Sequence, residues 1–185
     1  MNYYEISLCG LKRKLPLCPL TEDLYIGAFV TFGDTELTTA CAEELIKRAP
    51  EYDYILTAEA KGIPIAHEMA RLDGNRRYFL ARKSPKLYMT GVFEVSVRSI
   101  TTAKIQKLYL DQADADEMKG KRILIVDDVI STGESLTSLE NLAEQAGGTV
   151  VGRMCILAEG EAAKRDDLIY IDALPLFDAN GNPLD

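Results

Sequence analysis

Apolar and polar positions follow two different periods along this chain, and the points where the period changes mark out its elements. Residues 36 to 49, ELTTACAEELIKRA, carry apolar side chains at helical spacing until Pro50 ends the pattern. YDYILTA (52–58) then reads as a strand, AEAKGIP as a turn, IPIAHEMARL (63–72) as a helix stopped by Asp73-Gly74, and RRYFLA (76–81) as the next strand. The same grammar recurs downstream. RILIVDD (122–128) is a strand, VISTG (129–133) a turn, ESLTSLENLAEQA (134–146) a helix closed by Gly147-Gly148, and TVVGRMCILAE (149–159) a strand. Two strand-helix-strand units predict an α/β fold with a doubly wound, mostly parallel sheet.

Between the units, residues 92 to 110 are β-branched and alternating, with a polar middle from Ser99 to Lys104 that predicts a mobile hairpin tip and a candidate lid. The last segment, LIYIDALPLFDANGNPLD, reads as a short strand followed by an irregular tail. With 185 residues and 47% apolar content, the chain is long enough to fill one sizeable core, so a single domain is expected.

The net charge of −8 disfavours nucleic acid, whose binding depends on neutralising phosphates. Lys12-Arg13-Lys14 and Arg82-Lys83 with Lys86 are the basic clusters; the first reads as a solvated face. Neither a run of about 18 apolar residues nor a signal-peptide pattern is present, so a cytoplasmic protein without membrane contact is expected. Cys9, Cys18, Cys41 and Cys155 are scattered and accompanied by one histidine, His67, which predicts reduced thiols and no structural zinc.

Chemistry concentrates where the apolar run Ile123 to Val126 ends in Asp127-Asp128. In open α/β sheets the carboxyl ends of central strands open onto the ligand crevice, so adjacent carboxylates there are candidate functional groups. Neighbours on a strand point to opposite faces, which predicts two separate jobs and no shared proton. Ser131 and Glu134 have the spacing of a capping box, and Gly133 in the first turn suits close approach of the backbone to a phosphate at a helix N-terminus. Ala58-Glu59-Ala60-Lys61-Gly62-Ile63-Pro64 is a second turn from strand into helix, with Pro64 acceptable in the first turn and Gly62 allowing a tight path.

ILIVDDVISTGES (123–135) resembles the 5-phosphoribosyl-1-pyrophosphate (PRPP) signature of the type I phosphoribosyltransferases. AKGIPIA is similar to their pyrophosphate loop and to the PRPP-binding domain of the purine operon repressor, and Arg82-Lys83 with Lys86 matches the RK-x-x-K arrangement of adenine-type members. The resemblance covers roughly residues 53 to 159. It implies that Asp127 and Asp128 hold the ribose hydroxyls and serve as the catalytic carboxylates, and that Ser131, Thr132, Gly133, Glu134 and Ser135 hold the 5′-phosphate. It further implies that Glu59, Ala60, Lys61 and Gly62, with Arg82, Lys83 and Lys86, receive the diphosphate, and that the Glu59–Ala60 peptide bond is cis. Mg²⁺ would arrive mainly through PRPP and not through a protein site. The core is expected over about 36–159, with a hood over the base from residues 1–35 and 160–185, in a homodimer.

What the resemblance implies is a purine phosphoribosyltransferase, with adenine ahead of xanthine. The segment Val95 to Thr102 lacks the Glu-Tyr-Gly element of adenine enzymes, and RKSPKLYMTG lacks the Gly-rich loop of orotate enzymes. The alternatives are a phosphoribosyltransferase for xanthine or orotate, and a PRPP-sensing regulator without turnover. Glu159, after the last core strand, is as readily a solvated carboxylate as a site residue.

Overall fold

In the computed structural model, which describes residues 2–98 and 105–184, five parallel strands form the central sheet. They are β4 (Tyr54–Ala58), β5 (Tyr78–Ala81), β8 (Arg122–Ile130), β9 (Thr149–Glu159) and β10 (Ile169–Leu174), in the order β10-β9-β8-β4-β5. β8 is central because its Ile123 to Val126 run has no polar face and stays out of water only when covered on both sides. On one side lie α1 (Thr35–Arg48) and α2 (Ile63–Leu72), contributing Leu37, Cys41, Leu45, Ile65 and Met69. On the other lie α3 (Gln112–Met118) and α4 (Glu134–Gln145), contributing Met118, Leu136, Leu139 and Leu142. The fold is therefore the expected α/β doubly wound type.

Local chemistry explains the element ends. Asp34 caps α1 by accepting from the Leu37 N–H at 3.1 Å, and Glu36 in the first turn with Lys47 and Arg48 in the last complement the helix dipole. Pro64 occupies the first turn of α2, where no N–H partner is needed.

A second sheet is antiparallel and assembled from both chain ends: β1 (Tyr3–Leu8), β2 (Leu11–Pro19), β3 (Tyr25–Gly27), β11 (Leu176–Phe177) and β12 (Pro183–Leu184). Its inner residues, Ile6, Leu8 and Leu15, join the core cluster of α1 and α2. β6 (Val92–Arg98) and β7 (Ile105–Asp111) form the antiparallel hairpin expected for the excursion, anchored by buried Val95, Leu108 and Leu110. Its tip, the candidate lid at 99–104, lies outside the described residues. Two backbone hydrogen bonds between Arg82 and Tyr109 tie β7 to the end of β5.

Several details differ from the sequence pattern. β8 runs through Val129-Ile130, where a turn was expected, because continued pairing to Leu157 and Ala158 of β9 satisfies the backbone. α3 has too short and polar a sequence to carry a helical signature. Ile169–Leu174 lies in the span expected for the hood and instead extends the central sheet beside β9. The irregular tail contains β11 and β12. All four cysteines are free, with Cys41 and Cys155 buried. No helix among the described residues is long and apolar enough to cross a membrane.

Candidate active site

The carboxyl ends of β4, β5 and β8 surround a cavity of about 350 Å³. Glu59, Ala60, Lys61, Lys83, Asp127, Asp128 and Ser135 line it, together with Ala58, Val129 and Leu108. Seven of the residues singled out from sequence thus line one cavity, although they are far apart along the chain.

The loop after β4 carries a cis peptide bond between Glu59 and Ala60, as the resemblance implied. Gly62 follows it at φ −71°, so left-handed freedom is not why glycine is there. Space is the reason: a Cβ at this position would stand 2.4 Å from Thr57 Oγ1 and 2.7 Å from Asp127 Oδ1. Only a bare backbone lets the two functional loops pack this closely. Thr31 Oγ1 donates to the Lys61 carbonyl at 3.3 Å, linking the segment after β3 to the same loop.

Asp127 and Asp128 lie at the mouth of β8. Asp128 is buried, and its Oδ2 has no hydrogen-bond partner among the described residues, though the Lys61 ammonium stands 3.5 Å away. Burial, and then the neighbouring Asp128 charge, push the Asp127 carboxyl well above the usual carboxylate range. The Asp128 N–H also donates to Asp127 Oδ1 at 2.9 Å. The two carboxylates therefore have different surroundings, Asp128 facing the Lys61 ammonium and Asp127 accepting from the Asp128 backbone.

The capping box is also corrected. α4 begins at Gly133, with φ +79°, and no side chain caps it. The left-handed residue turns the chain so that Ser131 and Thr132 remain exposed before the helix and Ser135 faces the cavity. Glu134, in the first turn, is half-buried. Backbone donors at an uncapped helix start favour an anion.

The basic cluster divides. Lys83 reaches the cavity wall, whereas Arg82 donates to Glu59 Oε1 at 2.9 Å and to the Tyr88 hydroxyl, and Lys86 lies 3.8 Å from Glu59. Glu59 also accepts from the Lys83 N–H, the largest cause of its lowered pKa. Glu59 is thus a brace that holds the strand-end loops together, and it consumes charge expected to face a ligand. Arg13 of the N-terminal cluster is bound to Asp34 and Glu36. His67 is exposed on α2, edge-on to Tyr78.

Sequence reasoning missed Arg165 and Leu108. A Cβ on Gly133 would lie 3.0 Å from Arg165 Nη1, so this guanidinium, braced by Asp167, borders the α4 turn. Thirty-two positions separate Arg165 from Gly133 (165 − 133), and no local pattern marks the contact.

Comparison with known proteins bears on this arrangement. The family described as Phosphoribosyl transferase domain matches residues 35–181. A hypoxanthine/guanine phosphoribosyltransferase of Methanothermococcus okinawensis is 34% identical over 165 residues, covering 86% of this chain and 84% of that protein. A xanthine phosphoribosyltransferase of Clostridioides difficile is 33% identical over 119 residues, covering 61% of this chain and 59% of that protein. In fold, the chain is similar to the adenine phosphoribosyltransferase of Thermoanaerobacter pseudethanolicus, with a TM-score of 0.71 at 19% identity, covering 86% of this chain and 95% of that one.

Proposed function

This chain belongs to the phosphoribosyltransferase family, and from that premise we propose that it transfers the phosphoribosyl group of PRPP to a free purine base with release of pyrophosphate. The observation that carries this reading is the single cavity in which the Glu59 to Lys61 loop, the Asp127-Asp128 pair and the start of α4 converge. The 5′-phosphate lies against the turn from Ser131 to Ser135, where helix N–H groups and hydroxyls donate. The ribose hydroxyls donate to Asp127 and Asp128, and the diphosphate lies by Lys61 and Lys83.

Phosphoribosyl transfer passes through a cationic ribose as the bond to diphosphate breaks, so carboxylates fixed near the ring stabilise the developing charge. The positive charge of Lys61 orients the departing diphosphate. Mg²⁺ would arrive bound to PRPP, and the carboxylate oxygens of Asp127 and Asp128 would face such a hard cation across the cavity. When bound, the ion neutralises charge on the leaving group. The base sits under the terminal sheet. Relatives above 30% identity are named for hypoxanthine/guanine and xanthine, which weighs against the adenine preference expected from sequence.

The consecutive residues Leu87 and Tyr88, with Val92 nearby, are exposed and apolar, and they support a homodimer contact, to be checked by sedimentation. The function itself is tested by incubating the protein with PRPP, Mg²⁺ and each of adenine, hypoxanthine, guanine, xanthine, uracil and orotate, following nucleotide and pyrophosphate. Turnover with a purine is expected. Turnover with pyrimidines alone, or PRPP binding without turnover of any base, overturns the proposal.

A further inference from the structure

Glu159 is the last residue of β9, one position beyond Ala158, which pairs with Ile130 at the end of β8. It therefore stands on the same carboxyl edge of the sheet as Asp127 and Asp128. Its side chain is half-buried, and among the described residues its carboxylate has no hydrogen-bond or ion-pair partner. Immediately after it the chain passes under the terminal sheet: a Cβ on Gly160 would lie 3.2 Å from Leu176 Cδ1 of β11. Glu159 thus occupies the seam between the cavity floor and the hood. The Lys61 ammonium acts on it across that seam, countering the rise in pKa that burial causes.

Other partly buried carboxylates among the described residues are engaged, such as Glu59 by Arg82, Asp34 by Arg13, and Glu68 by Arg71 and Thr39. A half-buried carboxylate at the sheet edge that no protein donor engages is available to a ligand.

We propose that Glu159 selects the base, its carboxylate accepting hydrogen bonds from the ring N1–H and the 2-amino group of guanine. This rests on the reading of the cavity as a phosphoribosyl-transfer site. The two guanine donors are adjacent and parallel, so they match the two oxygens of one carboxylate. Hypoxanthine offers the N1–H alone. Adenine places the N1 lone pair beside its amino donor, and xanthine flanks N1–H with two carbonyl oxygens, so each sets an acceptor against the second carboxylate oxygen. The expected order is guanine, then hypoxanthine, then adenine and xanthine.

The test measures kcat and KM for these four bases at saturating PRPP and Mg²⁺, with calorimetric PRPP affinity, in the wild type and Glu159→Gln. The amide keeps one acceptor and turns the other oxygen into a donor facing a donor. Guanine kcat/KM should fall by about 30- to 100-fold, mainly through KM, while the adenine value holds or rises. PRPP affinity should hold or rise, because removing the Glu159 charge leaves the Lys61 ammonium to the diphosphate; retained affinity also reports an intact fold. An unchanged guanine-to-adenine ratio in Glu159→Gln, or a wild-type preference for adenine or xanthine, refutes the role of Glu159 and leaves the transferase reading standing. Wild-type protein that binds PRPP and converts no purine defeats the transferase reading, and the role of Glu159 with it.

Discussion

The floor and the hood of the crevice are built in opposite ways. The floor is made of turns that leave buried parallel strands, so Asp127, Asp128 and Lys61 stand within a few residues of side chains fully withdrawn from water. The hood is a sheet of short antiparallel strands drawn from residues 3–27 and 176–184, held down by a few large side chains such as Phe177, which packs on Tyr4 with ring centroids 4.9 Å apart. A floor of this kind has little freedom to move, because displacing a loop displaces the core beneath it. A hood of this kind can change its outward-facing residues without disturbing the central sheet, although Ile6, Leu8 and Leu15 on its inner face share the core. On the proposed function, chemistry common to all substrates belongs on the first and discrimination between bases where the second meets it, at Glu159.

The strongest challenge to that division is Asp127→Asn with Asp128→Asn. The charges stabilising a cationic ribose disappear while the apolar strand remains, so turnover should fall by at least about 1,000-fold in a protein whose circular dichroism spectrum is unchanged. Retained turnover removes the floor from the chemistry.

Phe177→Ala probes the hood. Phe177 is wholly buried, and its truncation should cost about 3 kcal/mol of stability, read by urea unfolding. If the two regions are separable, the KM for the base should rise while PRPP affinity stays put. A parallel loss of PRPP binding would show that the floor depends on the hood.

Gly62→Ala asks whether the two floor loops must touch. The added methyl group meets Thr57 Oγ1 and Asp127 Oδ1 inside contact distance, and the Asp127 Cα at 3.2 Å limits any escape. Displacement of a catalytic loop by such a clash should lower kcat/KM by about 100-fold. Near-normal kinetics would mean that the loop is softer than the packing indicates.

The smallest effect has the opposite sign for stability. Asp127 has a raised pKa, so its folded form holds a proton more tightly than its unfolded form. Its ionisation therefore opposes folding as pH climbs from the ordinary carboxylate range through the raised value. Asp127→Asn should raise the melting temperature by about 2–4 °C at pH 8, with the gain shrinking as pH falls toward 4, while PRPP binding weakens. A melting temperature that falls at pH 8 would contradict the raised pKa of Asp127.

The amino-acid sequence by itself determined the alternation of strands and helices around Asp127-Asp128 and the two glycine-bearing turns, because these depend on short-range periodicity and backbone conformation. The resemblance of its loops to a known family also marked the residues from Glu59 to Lys61, Lys83 and Ser135. Only the tertiary structure decided that Glu59 consumes Arg82, that Gly62 is required for space, that Arg165 borders the α4 turn, that Ile169–Leu174 joins the central sheet and that both chain ends build the hood. Each of these is a contact between residues distant in the chain. Periodicity reports which face of a segment avoids water, and it carries no record of which segment covers that face.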